Sequence, residues 1–548
     1  MSQAHHFAAP AEAAPAPATM TSTTTDTTAA SPSPVHLPRR HWLGGLAACL
    51  GSAALPGCAP ALVDHARAAD VPRFGLGVAS GGSLPDRLVL WTRLTGAGLP
   101  ERVDVSWELA DDEAFTRIAA RGVEVAEADW AHSVHAEPAG LAPGRWYWYR
   151  FTALGQRSAP ARTRTAPPPG TSEPLRYAIT SCQRWDHGHY AAWRHLAAEQ
   201  PDLVVFLGDY IYEYGRVEGR VRLHDGGPAR TLDQYRARYA QYKSDPALQA
   251  AHAAAPWLIT WDDHEVENDY AGLQGLNLQP DFAAQRAAAY KAWWEHMPYP
   301  KALRPGGADL RIVGRYDWGA LARFILVDGR QQRSPQACNK PGKGGSSVVR
   351  ERDCAELRDP TRSFLGMEQE AWLARQWSRE HRWNLLGQPT LMARFATAAK
   401  ERPAGDPDMV WTDGWEGYPL ARQRLLQTVA DQQVPGCVVL GGDVHASYVA
   451  DLRPDWRNDQ SPVVASEFCG TSITSNGWSH DKLAATLPDH PHIRYGRGDD
   501  HGYLAFDVTA RQMTVRVRSV DDVLKADSGI HTDASFVVEA GRPGALRA

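Results

Sequence analysis

The chain has 548 residues, of which 43% are hydrophobic and 22% are charged, and its formal net charge at pH 7 is −5. This length exceeds one ordinary hydrophobic core and predicts two or three domains. The mildly acidic balance excludes a generally basic surface, so the composition gives no support to specific nucleic-acid recognition.

The first 68 residues predict an export segment. Residues 1–35 are rich in Ala, Pro, Thr and Ser without periodicity, which is typical of disorder. Arg39 and Arg40 precede a short, weakly apolar run at 42–57, too short for a membrane span. This order resembles a twin-arginine signal, and a chance basic pair before an Ala-rich stretch is the alternative. We therefore expect the twin-arginine export machinery as a partner and a periplasmic or secreted location.

Two processing sites fit this segment. Ala66-Arg67-Ala68 matches a small-x-small cleavage site, and the residues that end at Cys58 resemble a lipoprotein box, although Pro56 is unusual there. We favour cleavage after Ala68 and leave a lipid anchor at Cys58 open. Downstream of this segment, the sequence contains no stretch apolar enough to span a bilayer.

Residues 72–166 predict a small β domain. The segments 89–92, 103–107 and 146–151 are rich in β-branched and aromatic residues, and Gly- and Pro-bearing turns separate them. This pattern favours a fibronectin- or Ig-like sandwich, followed by a linker at 167–170.

Residues 174–548 predict an α/β catalytic domain, because nearly continuous apolar strands alternate with helical stretches. Each strand ends at a polar residue. The strands are 175–180 before Cys182, 203–207 before Asp209, 257–260 before Asp263, 322–327 before Asp328, 383–387 before Gln388 and 437–440 before Asp443. Since ligands bind beyond the carboxyl ends of strands in open α/β sheets, we expect the site there.

Three of these strand ends carry groups suited to metal binding. Asp209 could bridge two cations, and Tyr212, three residues on, offers a phenolate; a turn cap and a packed tyrosine are the alternative. The acids around Asp263 leave negative charge that is costly to bury without a cation, and the neighbouring His264 could face a phosphate. A surface acidic turn is the alternative for this motif.

The third strand end completes the predicted cluster. Asp443 and His445 point to the same side of an extended backbone, after two glycines that permit close approach to a ligand. Cys182 occupies the equivalent position after the first strand, so we interpret it as a metal thiolate rather than a core thiol.

The remaining cysteines have structural interpretations. Cys338 and Cys354 flank a loop rich in Gly, Lys and Arg, and a disulfide between them would suit an exported protein. Cys437 and Cys469 adjoin apolar runs and predict core positions.

These motifs together resemble the PhoD-like alkaline phosphatases, which are relatives of the calcineurin-like and purple-acid metallophosphoesterases. The resemblance extends over about 72–510. Its motifs lie at 74–81, 89–93, 181–182, 208–213, 261–265 with Asn268, 414–419, 442–447 and 470–475. It implies a fibronectin-like domain before a four-layer α+β or α/β sandwich, in which two central mixed sheets are flanked by helices.

The resemblance also implies one Fe(III) with one or two Ca(II). It places Cys182, Asp209, Tyr212 and His445 around iron. It assigns Asp209, Asp263, Asn268 and Asp443 to calcium, with Asp209 bridging, and it puts His264 beside the phosphate as a catalytic group together with Asp209.

The predicted function is hydrolysis of phosphate mono- and diesters by a metal-activated hydroxide. A phospholipase D-like phosphodiesterase is one alternative, and the basic 335–350 segment could meet anionic headgroups. A non-catalytic module that binds phosphate or a partner is the other. The intact Asp209, Tyr212 and His264 argue against this second alternative.

Overall fold

The computed structural model describes residues 72–398, 408–458 and 460–548. The predicted export segment, both processing sites and Cys58 lie outside these residues. Of the described helices, none combines the length and apolar character needed to cross a membrane.

The described residues form 24 strands and seven α-helices, numbered here along the chain. The strands are β1 (Val78–Gly81), β2 (Val89–Arg93), β3 (Arg102–Ala110), β4 (Ile118–Glu127), β5 (Ser133–Ala136), β6 (Trp146–Ala153), β7 (Gln156–Arg157), β8 (Ala161–Arg164), β9 (Leu175–Thr180), β10 (Leu203–Leu207), β11 (Trp257–Thr260), β12 (Gly314–Trp318), β13 (Ala322–Leu326), β14 (Val348–Arg350), β15 (Trp383–Gly387), β16 (Met409–Trp411), β17 (Cys437–Gly441), β18 (Ser447–Leu452), β19 (Ala465–Cys469), β20 (Ile493–Arg497), β21 (Gly502–Val508), β22 (Gln512–Val520), β23 (Ile530–Glu539) and β24 (Arg542–Arg547). The helices are α1 (Ala191–Glu199), α2 (Leu232–Lys243), α3 (Pro246–Ala254), α4 (Phe282–His296), α5 (Met367–Ala374), α6 (Pro419–Asp431) and α7 (His480–Ala484).

The first large sheet has ten strands in the order β24-β23-β22-β21-β9-β10-β11-β1-β2-β5. Its centre is parallel: Phe206 pairs with Thr180, and Leu207 pairs with Thr260. Every residue of β10 and β11 is buried, as their continuous apolar sequences require. This register brings the loops that follow β9, β10 and β11 side by side at one edge of the sheet.

The second large sheet has seven strands in the order β12-β13-β15-β17-β19-β18-β20. Strands β13, β15, β17 and β19 are parallel neighbours, whereas β12 and β18 run antiparallel to theirs. Both large sheets are therefore mixed, as the resemblance implied. The loop after β17 carries Asp443 and His445.

The two large sheets pack face to face, and helices cover part of the outer face of each. One apolar core lies between the sheets, and one lies under the helices on each outer side. Val204 and Phe206 of β10 face helices α1 to α4, whereas Val205 and Leu207 face the second sheet. Alternate residues of the second sheet, such as Leu386, face α5 and α6 on its far side. The layers therefore run helix, sheet, sheet, helix, and the central strands are buried on both faces.

The separate fibronectin- or Ig-like sandwich predicted for 72–166 is not confirmed. Strands β1, β2 and β5 of this region join the first large sheet, and β1 pairs in parallel with β11. The others, β3, β4, β6, β7 and β8, form a sheet of their own. All four residues of β1 are buried, so this strand needs neighbours on both faces. The boundaries predicted at 72–166 and 174–548 stay predictions.

The structure confirms the predicted roles of four cysteines. Cys338 and Cys354 form a disulfide with an S–S distance of 2.02 Å. Cys437 and Cys469 are free, buried and part of the core beneath α6. Cys182 is also free and buried.

Candidate metal centre

Four predicted ligands share an unusual backbone conformation. The φ angles are 58° at Cys182, 60° at Asp209, 65° at Asp443 and 51° at His445. Positive φ is uncommon for residues other than glycine, and such strain concentrates at functional sites. Because all four residues follow strands, this conformation turns the chain sharply where each strand ends.

Cys182, Asp209 and His445 form a buried group whose donor atoms all lie within 4.8 Å of one another. Tyr212 joins them: its hydroxyl donates to Asp209 Oδ2 at 2.8 Å and lies 3.2 Å from His445 Nε2. The group thus combines a thiol, a carboxylate, a phenol and an imidazole. These donors fit a ferric ion, because iron accepts sulfur, nitrogen and anionic oxygen ligands.

Two residues from the 470–475 motif and its border support this group. His445 Nδ1 lies 2.8 Å from the Asn476 carbonyl oxygen, so Nδ1 carries the proton and Nε2 keeps its lone pair for a metal. Ser475 Oγ lies 2.7 Å from the Tyr212 hydroxyl and 2.9 Å from the Cys182 carbonyl. The sequence singled out this motif without predicting either contact.

Asp209, Asp263 and His264 form a second buried group within the same 4.8 Å limit. Asp209 therefore belongs to both groups. The His264 backbone N–H donates to Asp263 Oδ1 at 3.0 Å, and His264 Nδ1 lies 2.8 Å from Glu213 Oε2. The His264 ring also stacks on Tyr212, with 4.1 Å between ring centroids.

The two other predicted ligands have different surroundings. Asn268 Oδ1 accepts a hydrogen bond from the Tyr214 hydroxyl at 2.9 Å. Asp443 Oδ2 accepts one from Thr390 Oγ1 at 2.7 Å. Among the described His, Cys, Asp and Glu residues, the groups within 4.8 Å do not include Asp443. Metal binding by Asn268 and Asp443 stays a prediction.

A third group brings together three carboxylates that belong to Asp263, Asp269 and Asp413. Two buried arginines form ion pairs with Asp413 of this group, and one of them also pairs with the neighbouring Asp262. Arg330 pairs with Asp262 at 2.5 Å and with Asp413 at 2.8 Å, and Arg333 pairs with Asp413 at 2.8 Å. Sequence reasoning missed these arginines, because they lie on a loop far along the chain from the acids.

Burial sets the electrostatics of the predicted ligands. It raises the pKa of the Cys182 thiol, the Asp209 carboxyl and the Tyr212 phenol well above their ordinary values, and neighbouring negative charges raise these pKa values further. Burial lowers the pKa of His445 to about 3, which keeps its imidazole neutral. The thiol, the carboxyl and the phenol can all be deprotonated at this buried position only when a cation balances their charge.

His264 is the positive exception. Burial would lower its pKa, but the carboxylates of Asp263, Asp209 and Glu213 together raise it well above the ordinary value. In the absence of metal, this environment favours a protonated imidazole, which belongs to the second group and stacks on Tyr212 of the first. One such charge does not balance the surrounding acids.

Comparison with known proteins identifies the family. The family model described as "PhoD-like phosphatase" matches residues 177–517, and the one described as "PhoD-like phosphatase, N-terminal domain" matches residues 57–167. Alkaline phosphatase D of Bacillus subtilis (strain 168) is 42% identical over 490 residues, which is 86% of this chain and 82% of that protein.

Solved structures give the same result. A structure of PhoD superposes with a TM-score of 0.82 at 40% identity, over 87% of this chain and 92% of that one. The purple acid phosphatase PPD1 from yellow lupin seeds shares the fold, with a TM-score of 0.50 at 12% identity, over 85% of this chain and 74% of that one. The chain therefore belongs to the PhoD-like phosphatase family.

Proposed function

We propose that this phosphoric ester hydrolase cleaves phosphate mono- and diesters at a centre of one ferric ion and one or two calcium ions. The observation that carries the proposal is the pair of ligand groups that share Asp209. Bound metal ions would lower the pKa of water and stabilise negative charge on the phosphoryl oxygens.

The ligand assignment follows from donor chemistry. Cys182, Tyr212 and His445 would hold iron together with Asp209, because sulfur, phenolate and imidazole suit iron better than calcium. The other carboxylate oxygen of Asp209 would serve calcium, beside Asp263. Asn268 and Asp443 complete the calcium ligands in this proposal, on the resemblance described above.

His264 is the proposed proton donor. Glu213 holds Nδ1, which leaves the Nε2 proton for a phosphoryl or leaving-group oxygen. Stacking on Tyr212 fixes the plane of the ring beside the iron ligands. The position and the positive charge of His264 thus both follow from its neighbours.

The proposed location is outside the cytoplasm, in the periplasm or the medium, after passage through the twin-arginine machinery. The support is Arg39 and Arg40 before the weakly apolar run. Fusion of residues 1–68 to a reporter that is active only after export would test this step. Retention of the reporter in an Arg39→Lys/Arg40→Lys variant is the expected control result.

Substrate panels before and after metal removal test the catalytic proposal. We expect turnover of 4-nitrophenyl phosphate and bis(4-nitrophenyl) phosphate, loss of both activities after chelation, and recovery when iron and calcium are restored. Phosphatidylcholine tests the phospholipase D-like alternative. Full activity after complete removal of metal would overturn the proposal.

A further inference from the structure

Arg184 lies at the edge of the proposed iron ligands. Its guanidinium carbon is 4.6 Å from the centroid of the Tyr214 ring and 5.7 Å from that of Tyr212. The His264 ring packs against the same two tyrosines, at 5.2 Å and 4.1 Å between centroids. The Arg184 guanidinium and the His264 imidazole thus pack against one pair of rings, and one of these rings carries the proposed iron ligand.

Hydrogen bonds hold both the side chain and the backbone of Arg184 in place. Its Nε donates to Asp186 Oδ1 at 2.8 Å, and the Asp186 side chain is only 1% exposed. Its backbone carbonyl accepts a hydrogen bond from the Thr474 hydroxyl at 2.7 Å, and its backbone N–H donates to Ser475 Oγ at 3.2 Å. Ser475 in turn contacts Tyr212. Arg184 is therefore positioned by the same loop that supports the metal ligands.

Asp186 is the ion-pair partner of Arg184, through Nε at 2.8 Å and Nη2 at 3.4 Å. Asp186 also lies 3.7 Å from Arg220, so one carboxylate serves two arginines. Within the described residues, Arg184 Nη1 makes no hydrogen bond. The Arg184 side chain is 13% exposed, which leaves part of it open to solvent.

A second unused donor lies three residues along the chain. His187 Nδ1 accepts a hydrogen bond from the Asn476 backbone N–H at 3.0 Å, so its proton is on Nε2. His187 Nε2 is buried and has no hydrogen-bond partner in the described part of the chain. Buried donors are normally satisfied, so an unmet donor three residues from the partly exposed Arg184 guanidinium suits an anionic ligand.

We propose that Arg184 is a specificity-determining residue that binds the substrate phosphoryl group and favours monoesters over diesters. This inference rests on the proposed function. A phosphomonoester is a dianion with three unesterified oxygens, whereas a diester is a monoanion with two. A fixed guanidinium beside the proposed metal ligands stabilises the extra charged oxygen, and in a diester a neutral ester group replaces that oxygen.

The test compares Arg184→Ala and Arg184→Lys with the wild type on 4-nitrophenyl phosphate and bis(4-nitrophenyl) phosphate. We expect kcat/KM for the monoester to fall about 10- to 100-fold in Arg184→Ala, and that for the diester to fall less than about 3-fold. Arg184→Lys keeps the positive charge but lacks the planar guanidinium. Its ratio of monoester kcat/KM to diester kcat/KM should therefore lie between those of the wild type and Arg184→Ala. Arg216→Ala removes an arginine that is half exposed and pairs with Glu218, so its ratio should not change.

Equal losses for both esters, or no loss for either, would overturn the proposal. Metal content is measured for each variant. If Arg184→Ala loses metal, the ester ratio of metal-loaded Arg184→Lys decides: a reduced monoester preference supports the proposal, and an unchanged one overturns it.

A separate readout distinguishes this inference from the proposed function. If the metal-loaded wild type hydrolyses neither ester, the proposed function fails. Binding of inorganic phosphate by calorimetry then tests Arg184 alone. Weaker binding by Arg184→Ala supports the phosphoryl contact, and equal binding overturns it.

Discussion

Two groups of buried acids meet at Asp263, and they differ in what balances their charge. On one side, Arg330 and Arg333 form ion pairs with Asp262 and Asp413. On the other side, Asp209 faces Cys182 and Tyr212; among the described residues His264 lies next to Asp209, and the guanidinium carbon of Arg184 lies 5.7 Å from the centroid of the Tyr212 ring. An acid-rich strand end is thus not in itself a metal site. Among the described residues, neither Cys182 nor Asp209 forms an ion pair with an arginine or lysine, and this makes their side the candidate.

Glu467 shows a third arrangement. Its carboxylate lies fully buried in β19 and accepts hydrogen bonds from the backbone N–H groups of Met392 and Ala393, at 2.6 and 2.7 Å. Among the described residues, no group of possible metal ligands includes Glu467 and no arginine forms an ion pair with it, although Arg422 lies near enough to lower its pKa. The three acids Asp209, Asp413 and Glu467 therefore provide matched tests of how this fold accommodates buried carboxylates.

The largest expected effect belongs to Asp209→Asn. This change removes the charge that both ligand groups share, so we expect kcat/KM to fall by about 1,000-fold or more, with loss of bound metal. Asp413→Asn is the matched control, because its carboxylate pairs with arginines, and it should retain metal. Steady-state kinetics and elemental analysis measure both. Retained metal and near-normal turnover in Asp209→Asn would contradict the bridging role.

Arg330→Met tests the buried acids that are paired with arginines. It leaves Asp262 and Asp413 buried with less positive charge, so the free energy of unfolding should fall by about 3–5 kcal/mol. Denaturant unfolding of metal-loaded protein measures this change. Arg315→Met is the control, because Arg315 is 47% exposed and lies 3.9 Å from its partner. A decrease below about 1 kcal/mol for Arg330→Met would show that the arginine is not needed for charge balance.

Glu467 gives the smallest effect, a dependence of stability on pH. Burial raises its pKa from 4.5 to about 7. The folded state therefore holds a proton that the unfolded state releases between these values, and this contribution to stability is lost as the pH rises from about 4.5 to 7. We expect Glu467→Gln to remove the decrease in the free energy of unfolding that this proton causes as the pH rises. Unfolding measurements at pH 5, 6, 7 and 8 test this. Identical slopes in both proteins would contradict the shift.

The strand-end rule explains why the sequence predicted much of the site. Cys182, Asp209 and Asp263 each follow a parallel strand of one sheet, so their proximity follows from strand order alone. His445 comes from the second sheet, and its place beside Cys182 depends on how the two sheets face each other. The sequence indicated that His445 is a ligand because it also follows an apolar strand.

The contacts that sequence reasoning missed are between loops. Arg330 reaches Asp262 across 68 residues, and Glu213 reaches His264 across 51. No periodicity or spacing fixes such pairs, because they depend on the packed positions of irregular segments. The same limit applies to β1, whose four residues carry no signal that they pair with β11 rather than within a separate sandwich.

The most direct test of the metal centre is elemental analysis with visible absorption spectra of wild type and Cys182→Ser, purified without chelators. We expect iron and calcium in the wild type, with a charge-transfer band that Cys182→Ser shifts or removes. A wild-type protein that is free of metal, colourless and still inactive after iron and calcium are restored would contradict the account.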